Sequence, residues 1–256
     1  IVVVQCDEDY CRFKRGSETS QKRLMLLNML LKELGYGENT ITYYINSMKA
    51  VYITENCVGC GKCAFICPYD AITLRPGGTP VVDQALCVGC GACASACPHQ
   101  AIQLEGYEYD YISNLIREYS VAVKEAKAKS GKPAILVFSC QWSEFSALDK
   151  VKNGLLDENT AVIEVPCFKG LDPALVVEAL YSGFDGVLAI VCPEEKCKLE
   201  KGTEIAEQNA IALEKILEKL GLRERFQIYR ATPVYLNQFD SFLKEFSNKL
   251  SSLHAR

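Results

Sequence analysis

Two stretches of this chain repeat one cysteine spacing: residues 57–72 read CVGCGKCAFICPYDAI and residues 87–102 read CVGCGACASACPHQAI. Each is C-x2-C-x2-C-x3-C-P, and the second starts thirty residues after the first. Thiolates at this spacing hold [4Fe-4S] clusters, and the fourth cysteine of each run ligates the cluster of the other run. The expected ligand sets are Cys57, Cys60, Cys63 and Cys97 for one cluster, and Cys87, Cys90, Cys93 and Cys67 for the other. No apolar pattern constrains the fold as tightly, because each run must close around a cluster that the other run helps to hold.

The local chemistry agrees with that spacing. Two residues between thiolates allow a tight loop whose N–H groups point at the cluster, and Gly59, Gly61, Gly89 and Gly91 suit such close backbone approach. Pro68 and Pro98 then turn the chain away. Paired C-x2-C motifs also build zinc sites, but zinc gives no reason for the x3-C-P ending of both copies. The arrangement is that of a two-cluster bacterial-type ferredoxin module.

The chain has 256 residues, enough for two or three compact units, and ordinary hydrophobic and charged fractions of 49% and 23%. A net charge of −4 argues against nucleic acid as a partner. Cluster ligands must be thiolates, so fourteen cysteines point to a reducing cytoplasm rather than to disulfides. The apolar start IVVVQ has no basic stretch before it, so no secretory signal is expected. The run LMLLNMLL at 24–31 is far short of the roughly 20 residues of a membrane span, so no direct span is expected.

Along the chain, residues 1–50 read as a small α/β segment: strands IVVVQ and ITYYI flank a helix over 20–34 that Gly35 ends. The α+β ferredoxin module occupies 51–106, with VYIT and AIQL as flanking strands. Residues 107–133 form a helical linker broken by SGKP. From 134 to 256 the pattern becomes α/β. AILVFSC (134–140), AVIEVPC (161–167), GVLAIVC (186–192) and FQIYRA (226–231) alternate with helices at 173–182, 203–220 and 237–250. Strands this apolar predict a parallel sheet covered on both faces.

Cys140, Cys167 and Cys192 each end a predicted strand, and Cys197 follows closely. The carboxyl ends of parallel strands share the edge where such sheets bind ligands, so the four thiols are expected to converge. Four convergent thiolates suit a [2Fe-2S] cluster or a zinc ion; a reactive thiol pair and inert core cysteines stay open as well.

The stretch SCQWSEFSALD, followed by VIEVPCFKGLDPALVVEALYSGFDGVLAIVCPEEKCKLEKG, resembles the methyl-viologen-reducing hydrogenase delta subunit over about 134–231. That resemblance implies a [2Fe-2S] cluster on Cys140, Cys167, Cys192 and Cys197. The family often has a second cysteine in C-x-W-C, where this chain has Ser143. The segment SMKAVYITENCVGCGKC with the ferredoxin block resembles the C-terminal part of the A subunit of heterodisulfide reductase. The combination is also similar to the C-terminal half of the B subunit of the quinone-interacting membrane-bound oxidoreductase. No G-x-G-x-x-G follows a strand, so no flavin is expected on this chain itself.

Cys6 and Cys11 stand apart as two thiols, which cannot close a cluster without a partner. His99 and Trp142 read as packing residues, His254 as part of the tail, and the Lys/Glu run at 194–204 as a solvated face or a docking surface. The expected function is an iron–sulfur electron-transfer subunit with no catalytic residue of its own. Its partners, by resemblance, are a flavoprotein hub and a hydrogenase or formate dehydrogenase-like donor. The competing expectations are a thiol/disulfide-active reductase using Cys192 and Cys197, and a zinc-stapled scaffold that carries a ferredoxin.

Overall fold

The computed structural model describes residues 50–52, 55–83, 85–140, 156, 158–194, 197, 199, 201–231 and 236–254. The strand–helix–strand reading of the first fifty residues lies outside them but for its last residue, as do Cys6, Cys11, Trp142 and Ser143. The described residues belong to one compact unit that begins at Met48.

The ferredoxin module is built from short elements. Strand β1 (Ala50–Tyr52) pairs antiparallel with β4 (Ile102–Leu104), so the two ends of the module meet. Between them, β2 (Ile72–Leu74) pairs with β3 (Pro80–Val82), and two one-turn helices, α1 (Lys62–Ile66) and α2 (Ala92–Ser95), carry the third cysteine of each run. Its small core contains Cys63, Cys93, Ile72 and Ile102. Little apolar surface is buried here, so bound clusters must supply much of the cohesion.

Helix α3 (Tyr109–Ser130) leaves this module and is built into the wall of the next, with Ile112, Ile116 and Val123 in the larger core. Gly131, at φ 69°, ends it in the left-handed conformation. The second module is a four-stranded parallel sheet in the order β6-β5-β7-β8, formed by β5 (Ile135–Cys140), β6 (Thr160–Val165), β7 (Gly186–Val191) and β8 (Phe226–Arg230).

Alternation along the strands separates two cores. Leu136, Phe138, Val187 and Ala189 face α3, α4 (Pro173–Ser182) and α5 (Gly202–Lys219). Ile135, Val137, Leu188 and Ile190 face α6 (Leu236–His254), which contributes Phe239, Leu243, Phe246 and Leu250. Both faces are covered, which is why β5 and β7 are buried along their whole length. Each fully buried Leu, Ile, Val or Phe contributes roughly 1.5–3 kcal/mol.

Polar contacts pin the helices. Asp172 caps α4 by accepting from the Ala174 N–H at 2.9 Å, with Pro173 in the first turn. Glu178 of α4 accepts from Ser113 at 2.6 Å, Arg117 at 2.9 Å and Tyr109 at 3.2 Å, all on α3. Burial works against the ionised Glu178, but these donors outweigh it and hold the carboxyl below its usual range. Asp185 accepts from Lys127 and from the Ala134 N–H, each at 2.7 Å, locking the end of α3 to the start of the sheet.

Candidate metal centre

The ferredoxin cysteines are placed by their glycines. Gly61 and Gly91 precede α1 and α2 at φ 75° and 80°, a conformation that only glycine adopts freely. This turn sets Cys63 and Cys93 inside the module, both 8% exposed. One cavity is lined by Cys57, Cys60, Cys63 and Cys97 together with Pro80 and His99. It therefore gathers three thiols of the first run and the last thiol of the second. Backbone N–H groups point at the sulfurs, with Gly59 N 3.5 Å from Cys57 Sγ and Ala101 N 3.2 Å from Cys97 Sγ. On the other side, the charge of Cys67 is felt at both Cys90 and Cys93.

Burial pushes the Cys63, Cys90 and Cys93 thiols up, and neighbouring cysteine charges add to the shift. Thiolates packed this closely repel one another and ionise together only when a cation compensates them. Iron in a cluster supplies that charge, so the donor set fits the cofactor that its spacing predicts.

A second set of thiols lies at the carboxyl edge of the parallel sheet. Cys140 ends β5, while Cys167 and Cys192 follow β6 and β7; all three are buried, and Cys197 and Leu199 pack against them. Cys140 Sγ lies 3.8 Å from Cys192 Sγ, and the free thiols of Cys167 and Cys197 hydrogen-bond those of Cys140 and Cys192 respectively. The four thiols thus gather in one cluster at this edge. Among the described residues, no three Cys, His, Asp or Glu side chains gather as a single metal ion requires. That holds for the ferredoxin runs too.

The hydrogen bond with Cys140, followed by burial, pushes the Cys167 thiol up. For Cys192 the Cys140 bond lowers the value, but the Cys197 bond and burial overcome it and carry the thiol to about 12. The bond from Cys192 holds Cys197 down at about 6, against the effect of burial, with help from the Leu199 N–H and Thr203. The start of α5 closes the site. A Cβ added at Gly202 would stand 2.5 Å from Cys197 Sγ and 3.7 Å from Cys167 Sγ, while Thr203 Oγ1 donates to Cys192 O at 3.0 Å. A helix N-terminus beside thiols favours their ionised form.

The two sets share a wall. After Cys167 the chain makes a single 3-10 turn, Phe168–Gly170, that presses on the second cysteine run. A Cβ at Gly91 would be 2.9 Å from Gly170 Cα, and one at Gly170 would be 2.9 Å from Cys90 O. Lys169 O accepts from Ser95 Oγ at 2.6 Å and from Asn209 Nδ2 at 3.1 Å, which binds the turn to both modules. Cys90, Ser95, Cys167 and Gly170 border one cavity along this seam. Sequence reasoning named the cysteines but missed Ser95, Lys169, Gly170 and Gly202. The signal for the first lay in the small residues of GACASAC, where the other run has GKCAFIC.

Comparison with known proteins agrees with both modules. Residues 135–254 match the family described as methyl-viologen-reducing hydrogenase, delta subunit. Residues 56–101 match the 4Fe-4S dicluster domain. The A subunit of the ferredoxin:CoB-CoM heterodisulfide reductase of Methanosarcina mazei is 28% identical over 242 residues, covering 93% of this chain. The A subunit of the ferredoxin/F(420)H(2)-dependent CoB-CoM heterodisulfide reductase of Methanosarcina acetivorans is 29% identical over the same length. This chain spans 28% of the length of each of these two relatives. The iron-sulfur D subunit of the F420-non-reducing hydrogenase of Archaeoglobus profundus is 30% identical over 93 residues, which are 36% of this chain and 68% of that protein.

Proposed function

The chain belongs to the methyl-viologen-reducing hydrogenase delta-subunit family, with a 4Fe-4S dicluster domain ahead of the family's own domain, and on that premise we propose that it is an electron-transfer subunit of a larger redox complex. Cys57, Cys60, Cys63 and Cys97 hold one [4Fe-4S] cluster, and Cys87, Cys90, Cys93 and Cys67 hold the other. Cys140, Cys167, Cys192 and Cys197 hold a [2Fe-2S] cluster. Such clusters supply one-electron carriers when bound. The protein's contribution is to fix the thiolates, aim N–H groups at them and keep water from the inner sites.

The observation that carries this reading is the shared wall: Gly91 and Gly170 are packed backbone to backbone, which puts the second cysteine run directly against the turn that follows Cys167. A protein built for chemistry at one site has no need to seal two thiol sets against each other. No catalytic acid, base or nucleophile is required. The compartment is a reducing one, since the sites work as thiolates. No described helix is long and apolar enough to cross a membrane. The partners are other subunits of the complex, a flavoprotein hub and a hydrogenase or formate dehydrogenase-like donor.

The test is iron, acid-labile sulfide and zinc per chain on anaerobically purified protein, with EPR after dithionite reduction. About ten irons with a distinct [2Fe-2S] signal is the expected result. About eight irons, with Cys192 and Cys197 still open to alkylation, would overturn the third centre and turn the C-terminal site into a reactive thiol pair.

A further inference from the structure

Lysine is the residue least expected in a protein interior without a charged partner, yet Lys169 has 0% of its surface exposed. Its place explains the burial. The ammonium hydrogen-bonds the Cys90 sulfur, and its charge reaches Cys167 as well. The same residue's backbone N–H bonds the Cys167 sulfur, and its carbonyl is held by Ser95 and Asn209. The ring of Tyr69 lies beneath the ammonium, 5.7 Å from Nζ to the centroid. Tyr69 follows Cys67 and Pro68, the segment that brings the fourth thiol to Cys87, Cys90 and Cys93. One cation is thus enclosed between two sets of cysteines.

We propose that Lys169 is an electrostatic positioning residue, whose buried charge stabilises the reduced form of the cluster held by Cys67, Cys87, Cys90 and Cys93 relative to that of its solvent-facing twin. This rests on the electron-transfer reading above. Reduction adds one negative charge to a cluster, and a fixed cation beside a ligand sulfur favours that charge more strongly in a dry site than in water. Burial acts in the opposite direction on the same cluster, so without the lysine the inner cluster would be the harder of the two to reduce. No described lysine or arginine is buried beside the first run, where Lys62 is exposed.

The experiment is an EPR-monitored redox titration of the full chain as wild type, K169M, K169Q and K169R, with iron and sulfide measured on each preparation. K169M and K169Q should keep wild-type iron and shift one [4Fe-4S] signal by at least tenfold in its reduction equilibrium toward the oxidised form. For one electron that is about 59 mV. K169R should restore it, and the other [4Fe-4S] signal should not move. If K169M and K169Q instead lose one cluster while K169R keeps it, the charge is needed even to assemble the site, which supports the proposal in a stronger form. Unmoved potentials, equal shifts of both [4Fe-4S] signals, or loss of the cluster in K169R too would overturn it in favour of simple packing. Wild-type protein without [4Fe-4S] signals would defeat the electron-transfer reading itself, a failure distinct from any of these.

Discussion

The two cysteine runs share their spacing, their Val-Gly pair and two left-handed glycines, yet one faces solvent where the other is covered by the neighbouring module. In the first, Cys60 is exposed, and Val58 and Phe65 show 64% and 93% of their surface. In the second, Cys90 is 8% exposed, and Gly91 and Ala92 are buried. The residues that differ between the copies account for this. Lys62 and Phe65 stand where the second run has Ala92 and Ser95. Only the small pair lets the turn at Phe168–Gly170 reach the loop. Shared residues therefore set what each run can hold, and the residues between them decide which run meets the neighbouring module. An outward run suits exchange with another protein, and an inward one suits exchange within the chain.

The harshest way to break the comparison is to remove the fourth thiol of each run. Cys97→Ser should cost the exposed site its cluster and Cys67→Ser the covered one, each with loss of about four irons. The survivors then identify themselves by access. The cluster left in Cys97→Ser should resist a ferrous chelator, whereas the one left in Cys67→Ser should lose its iron readily. The reverse pattern of resistance would show that each run binds its own fourth cysteine.

A smaller effect separates the two glycines. Gly61→Ala and Gly91→Ala force the same unfavourable φ, which costs roughly 1–2 kcal/mol in either, so that contribution cancels. What remains is space. The new Cβ at position 61 meets only the Leu74 Cδ1 methyl at 3.1 Å, which can swing aside, while at position 91 it meets the Gly170 backbone at 2.9 Å. Gly91→Ala should be the less stable of the two by about 1–3 kcal/mol, read as a lower temperature at which the holoprotein loses its visible absorbance. Equal temperatures would mean that the modules part freely.

Much of this was legible in the sequence, for reasons that differ by site. The two central strands announce themselves because both faces of the sheet are covered there, leaving almost no polar position to blur ILVFSC and GVLAIV, whereas the edge strands TAVIEV and FQIYR carry exposed Glu164 and Arg230. Parallel order then brings Cys140, Cys167 and Cys192 to one edge, since every strand ends on the same side. The flanking strands of the ferredoxin module were readable from VYIT and AIQL, and β1 does pair with β4. Lys169 could not be read. In the string CFKGLDP it looks like an ordinary loop lysine, and its burial depends on Ser95 and Cys90, more than seventy residues away. Gly202 was hidden in the same way, because its need for space comes from Cys197 and Cys167 folding over it. Local pattern reveals elements and ligands; contacts between modules appear only once both are folded.

The mildest test changes the side chains that distinguish the runs without touching their cysteines or glycines. Ser95 Oγ donates to Lys169 O at 2.6 Å across the seam, whereas Phe65 at the matching position is almost wholly exposed. Ser95→Ala removes one donor to that carbonyl, the Asn209 donor remaining, and should cost about 0.5–1.5 kcal/mol. Phe65→Ala removes a larger side chain yet should change stability by no more than about 0.5 kcal/mol, because it buries so little. Thermal loss of absorbance on the two holoproteins ranks them directly. A greater loss in Phe65→Ala would mean that the first run is also covered, and that the exposed Val58 and Phe65 already sit against another surface in the purified protein. That surface would then have to come from a second copy of the chain, which sedimentation of the same sample would reveal.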